Sequence, residues 1–158
     1  MSPARSPSTY AQHGCTCAAL RRLTRTVTRL YDGHLARAGL KTTQYSLLRT
    51  VAAGPLPVAA LAARLAVERT TLTRNLRPLL DAGWIALSPG EDQRQRIVEI
   101  TAAGQAAIRA ARDAWRAAQT ELERELGVAE VERLNLQLDQ ALGRLAPLLE
   151  RNHDDLED

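Results

Sequence analysis

Leucines recur at three- and four-residue intervals along most of this chain, a period that fits helices and not strands. Leu20, Leu23, Val27, Leu30 and Leu35 form one stripe, and Leu72, Leu76 and Leu79 a second. Val131, Leu134, Leu138, Leu142, Leu145 and Leu149 form a third. The chain has no Phe and only 3% aromatic residues, so Leu, Ala and Val must fill its core. That composition favours helices over a β-sandwich. Gly and Pro punctuate the pattern into helices over 18–38, with Gly39 beyond the end, and 43–53, which Thr42 caps and Gly54-Pro55 stops. A third helix opens at Pro57 and is anchored by Leu61 and Leu65, and a fourth runs from Arg69 to about Ala82-Gly83, with Pro78 bending its last turns. Two long helices close the chain, over 103–126 and 129–151, and the tail beyond them is expected to fray. Thr101 caps the first of these, and Ile108, Trp115, Leu122 and Leu126 anchor it. Between the fourth helix and that one lie two short β-prone runs, 84–88 and 97–101, joined by the polar stretch PGEDQRQR, which reads as a β-hairpin with a charged tip.

Charge divides the chain unevenly. Residues 1–118 carry 17 basic and 7 acidic side chains, and residues 119–158 carry 4 basic and 11 acidic. A basic body with an acidic tail fits a protein that meets a polyanion at one end. No run of 18 apolar residues is present, so no membrane span is expected. The Pro/Ser-rich start lacks an apolar core for a signal peptide, and residues 1–14 read as a flexible arm. Cys15 and Cys17 are too close to staple a long loop, so free thiols in a cytoplasmic protein are expected. Residues 15–158 read as one domain.

The segment RTTLTRNLRPL, 69–79, concentrates the most chemistry. On a helix its leucines share one face, while Thr70, Arg74 and Arg77 share another at i, i+4 and i+7, with Thr71 beside them. Guanidinium forks and hydroxyls on one face suit an anionic, patterned partner such as DNA. Two short helices joined by a tight turn and followed by a hairpin make a winged helix-turn-helix over 43–101. Arg74 is the candidate for a bidentate guanine contact, and Thr71 for a base edge or thymine methyl. Arg69 belongs to the same surface, and Thr70, Thr73 and Arg77 are candidates for phosphate contacts, which position without specifying sequence. At the hairpin tip, Arg94 and Arg96 could reach a narrow minor groove, with Asp92 placed to orient Arg94.

Three stretches then carry a resemblance: LKTTQYSLL (40–48), LAARLAVERTTLTRNLRPLLDAGWI (61–85) and EDQRQRIVEITAAG (91–104). Together they resemble the MarR family of bacterial transcriptional regulators, over a span from about Cys17 to Leu149. The resemblance implies a homodimeric winged-helix repressor, less often an activator, that binds near-palindromic double-stranded DNA; no cofactor is expected. It makes Arg94 the wing arginine and 69–77 the recognition helix, and assigns 15–39 and 102–151 to dimerisation. The fold class is thus mainly α with a small β-hairpin wing. Where many members of the family carry an arginine before the wing loop, this chain has Ala86-Leu87-Ser88.

Three readings compete for the signal. Cys17 and Tyr31 match positions of the organic-hydroperoxide-sensing branch of the family, with Cys15 as a possible resolving thiol. Thr42 and Arg21 stand where that branch has aromatic residues, so the site is half present. His13, Cys15 and Cys17 could instead hold a soft metal or metalloid. In the third reading the cysteines are structural, at a dimer interface, and a small organic acid binds between the first helix and the DNA-binding lobe, where Tyr31, Tyr45 and Trp115 could line a pocket. No P-loop, G-x-S-x-G or H-E-x-x-H stretch and no supported carboxylate pair occurs, so an enzyme is not expected. A helical interaction protein that uses the same stripes without DNA is the remaining alternative.

Overall fold

The computed structural model describes residues 14–92 and 95–154, with no side-chain description for 148–154. His13, Gln93, Arg94 and the side chain of Leu149 therefore lie outside the described residues, as does nearly all of the expected arm. The chain divides into two units, one ending at Ala118 and the other beginning at Gln119, where its charge also changes sign.

In the first unit, α1 (Thr16–Leu35) is followed by a single 3-10 turn (Ala36–Ala38) and by Gly39 at φ 69°. That left-handed value is the reason for glycine there. The α1 leucine stripe sinks gradually: Leu20 and Leu23 are exposed, whereas Tyr31 and Leu35 are buried. Next, α2 (Thr42–Val51) buries Tyr45, Leu47, Leu48 and Val51. Thr42 is its first residue and not its cap. The cap is supplied at a distance: one carboxylate oxygen of Asp32 on α1 accepts the Thr42 N–H at 2.7 Å and its hydroxyl at 2.6 Å. An anion there satisfies an orphan donor and complements the helix dipole. From inside the helix, Gln44 Oε1 accepts the Lys41 N–H at 2.8 Å.

Leu56–Pro57 forms a two-residue strand, β1, before α3 (Val58–Arg64). The turn from α3 into α4 (Arg69–Asp81) closes with Val67 N–H donating to Ala62 C=O, and puts Ala66 at φ 50°. An alanine thus occupies a left-handed position that usually falls to glycine. On α4, Leu72, Leu76 and Leu79 are all buried as their spacing requires. Pro78 is accommodated within the helix.

Strands β2 (Ile85–Pro89) and β3 (Arg96–Ile100) pair antiparallel, Ile85 opposite Ile100 and Leu87 opposite Val98. Sequence patterning anticipates a hairpin; the sheet has three strands, because β1 adds to the other edge of β3, with Leu56 opposite Val98. Val98, at the centre, is fully buried.

The long helix α5 (Ala102–Leu126) starts one residue before the sequence predicts. The Thr101 hydroxyl donates to Gly83 C=O at 2.7 Å and accepts the Gly104 N–H at 3.1 Å, so one side chain caps α5 and ties it to the end of α4. Ile108 is buried, but Trp115 and Leu126 are exposed in the isolated chain. The unit division falls within α5. In the second unit Gly127 ends α5, and α6 runs over Val128–Asp154, past the point where its composition predicts fraying. Val131 is buried there, whereas Leu136, Leu142 and Leu145 are 58%, 60% and 53% exposed. No helix among the described residues is long and apolar enough to cross a membrane.

Candidate nucleic-acid interface

With its leucines buried, α4 presents the opposite face outward. At roughly 100° per residue, Thr70, Arg74 and Arg77 lie within roughly 60° of one another on that face, and all three are exposed. Thr71 lies to one side and is half-buried. Arg69 and Thr73 lie to the other, turned toward the wing, where with Arg96 they border a cavity of about 310 Å3 floored by Leu76, Leu80 and Leu87. The structure therefore gathers Arg69, Thr70, Thr73, Arg74, Arg77 and Arg96 around one helix and the strand beside it.

Two of these side chains are already engaged. The Thr73 hydroxyl donates to Arg69 C=O at 2.9 Å, so in this rotamer its oxygen can accept but has no proton left for a phosphate. Arg77 Nε donates to Asp81 at 2.9 and 3.2 Å. That pair is 76% and 61% exposed, and an exposed i,i+4 pair contributes no more than about 0.5 kcal/mol, so a phosphate can compete for the arginine. Asp92 lies at the described edge of the wing loop, where Gln95 N–H donates to its C=O at 2.8 Å. The expected pairing of Asp92 with Arg94 lies outside the described residues.

The candidate signal residues separate. Cys15 and Cys17 are exposed thiols at the start of α1. Tyr31 lies 14 residues beyond Cys17 on the same helix, about 21 Å at helical rise, so one chain does not bring the two together. Tyr31 instead borders a cavity of about 540 Å3 with Thr42, Tyr45 and Trp115. The rings of Tyr45 and Trp115 stack with centroids 6.2 Å apart and planes at 25°. Sequence reasoning names these three aromatics but misses the cavity's rim, Arg49 on α2 with Arg112 and Arg116 on α5. The readable signal is the i,i+4 arginine pair straddling Trp115. No group of His, Cys, Asp and Glu able to hold a metal occurs among the described residues, and His13 lies outside them.

This arrangement has close parallels among solved structures. The M. tuberculosis transcriptional regulator MosR in complex with DNA is 37% identical, with a TM-score of 0.72 over 82% of this chain and 97% of that one. The MarR family model matches residues 38–95, from the end of the 3-10 turn through the wing loop. The chain belongs to the MarR family. A variant of E. coli MarR complexed with operator DNA shares the MarR fold at 23% identity, with a TM-score of 0.73 over 87% of this chain and 99% of that one. YwoH of Bacillus subtilis, an uncharacterized HTH-type transcriptional regulator, is 36% identical over 66 residues. That match spans only 47% of YwoH and 40% of this chain. The three-stranded sheet and the α3–α4 pair have the winged-helix fold of that family.

Proposed function

We propose that this MarR protein is a homodimeric transcriptional regulator, a repressor and not an enzyme. It binds near-palindromic double-stranded DNA in the cytoplasm and lets go when an effector or an oxidant reaches it. The observation that carries the reading is the outward face of α4, where exposed Thr70, Arg74 and Arg77 back onto three buried leucines. In this reading Arg74 and Thr71 meet base edges. Arg69, Thr70 and Arg77 meet phosphates, as does Thr73 once its hydroxyl turns away from the Arg69 carbonyl, and Arg94 and Arg96, with Asp92, place the wing in the minor groove. The homodimer is supported by the exposed leucines of α1 and, separately, by those of α6, each an apolar stripe that a second copy would cover. For release, the exposure of Cys15 and Cys17 favours a thiol switch, and the cavity at Tyr31 favours a small aromatic ligand.

One assay tests the reading: fluorescence anisotropy of a labelled duplex taken from beside the protein's own gene. Binding should weaken steeply with salt, by a factor of about 10³ or more between 50 and 200 mM if six or more phosphates are neutralised. A flat response would contradict a phosphate-anchored interface. An organic hydroperoxide added to the complex should release the native protein but not Cys17→Ser. Equal release of both would remove Cys17 from the switch.

A further inference from the structure

We propose that Asp81 is a positioning residue for DNA binding, which holds the Arg77 guanidinium so that its two terminal nitrogens face a phosphate. This rests on the reading above, in which Arg77 meets a phosphate, and adds a residue to that contact. The two side chains share the outward face of α4, and both are mostly exposed. At roughly 100° per residue, Asp81 falls roughly 40° from Arg77 and roughly 20° from Arg74 around the helix.

The geometry of the pair decides what it leaves free. Arg77 Nε donates to both carboxylate oxygens of Asp81, at 2.9 and 3.2 Å. Neither terminal nitrogen of Arg77 has a partner among the described residues. A carboxylate bound at those nitrogens would occupy the fork with which an arginine grips an oxyanion. Bound at Nε, Asp81 fixes the plane of the guanidinium and leaves the fork open, so a phosphate can add to the pair without displacing it. An arginine already held in one orientation also loses less rotamer freedom on binding.

No other contact accounts for Asp81. It is the last residue of α4, where a negative charge opposes the helix dipole. On a face turned toward DNA, its charge also repels phosphates. Among the described residues its side chain has no hydrogen bond or ion pair except those to Arg77. Two unfavourable effects thus stand against one favourable contact. The opposite assignment, in which Asp81 masks Arg77 and weakens binding, predicts the opposite sign when the carboxylate is removed.

The test is anisotropy of the same labelled duplex with the native protein and with Asp81→Ala, Asp81→Asn, Arg77→Ala and the double alanine variant. Asp81→Ala should weaken binding about two- to fivefold, the scale of two exposed ion pairs in a dimer, although it removes a repelling charge. Asp81→Asn keeps an oxygen for Nε and drops the charge, so it should bind at least as tightly as the native protein. Arg77→Ala should weaken binding and lower the salt slope by about two, one for each copy. With Arg77 gone, Asp81→Ala should no longer weaken binding. The proposal is overturned if Asp81→Ala binds as tightly as the native protein or more tightly, if Asp81→Asn is as weak as Asp81→Ala, or if the loss persists without Arg77. An Arg77→Ala variant with native affinity and salt slope would remove the phosphate contact and the positioning role together. A weakened Arg77→Ala beside an unaffected Asp81→Ala would remove the positioning role alone.

Discussion

Arg74→Ala is expected to relax sequence preference at one base pair of each half-site by about 1–3 kcal/mol, or roughly 5- to 150-fold. The side chain is exposed near the middle of α4, diametrically opposite Leu72 and Leu76, so nothing in the fold depends on it. It has no ion-pair partner among the described residues, in contrast to Arg77. An arginine so placed can offer two parallel N–H donors to guanine O6 and N7, and alanine offers none. The measurement compares native and variant proteins on duplexes altered one base pair at a time. A position that discriminates for the native protein should stop discriminating for the variant. If the variant weakens binding equally on every duplex, Arg74 is a phosphate contact. If it changes nothing, α4 lies elsewhere in the complex.

Gly104→Ala is expected to destabilise the fold by about 3 kcal/mol, at the upper end of overpacking costs. A Cβ added there would lie 2.1 Å from the Trp84 carbonyl oxygen and 2.8 Å from Ile100 Cγ1. The carbonyl cannot easily retreat, because Trp84 O accepts the Thr101 N–H at 3.0 Å and Trp84 N–H donates to Leu79 C=O at 2.9 Å. The first turn of α5, the start of β2 and the end of α4 meet at this point, so strain there reaches both the wing and the recognition helix. Helix propensity alone predicts the opposite sign, a gain of about 1 kcal/mol on replacing glycine within a helix. Gly33→Ala, in α1 with nothing within 4 Å of the added carbon, should show that small gain. Urea denaturation of the two variants separates the accounts. A lower midpoint for Gly104→Ala at unchanged slope supports the close approach, and a higher one refutes it.

Much of this architecture is legible in the sequence because its signals are local. Apolar residues at helical spacing, with Gly and Pro as stops, place all six helices to within a few residues, and two β-prone runs around a polar loop place the wing. Thr101 is readable as a cap from its position alone. The features that escape depend on distant partners. Leu56–Pro57 carries too few residues, one of them proline, to announce a strand, and it becomes one only because β3 offers a free edge. Thr42 looks like an N-cap, yet Asp32, ten residues earlier, performs that role from another helix. Ala66 takes a left-handed conformation that no propensity would assign to alanine.

The candidate site divides in the same way. The outward face of α4 follows from helical period alone, so spacing is enough to group Thr70, Arg74 and Arg77. Arg77 has a second partner in Asp81 at i+4, a competing signal that is equally local. The link expected between Cys17 and Tyr31 does not form within one chain, because one helix holds them apart. The arginine rim of the cavity joins α2 to α5, and nothing in the sequence says that those helices meet there.

If two copies of α4 read DNA at a fixed separation, the spacing of the half-sites governs affinity. A two-fold dimer with rigid recognition helices requires half-sites about 34 Å apart, one turn of the duplex. Anisotropy titrations should use an operator duplex together with versions lengthened between the half-sites by about five and about ten base pairs. A half-turn insertion, which rotates one half-site to the far side of the duplex, should weaken binding at least tenfold. Affinity equal across all three spacings would contradict it.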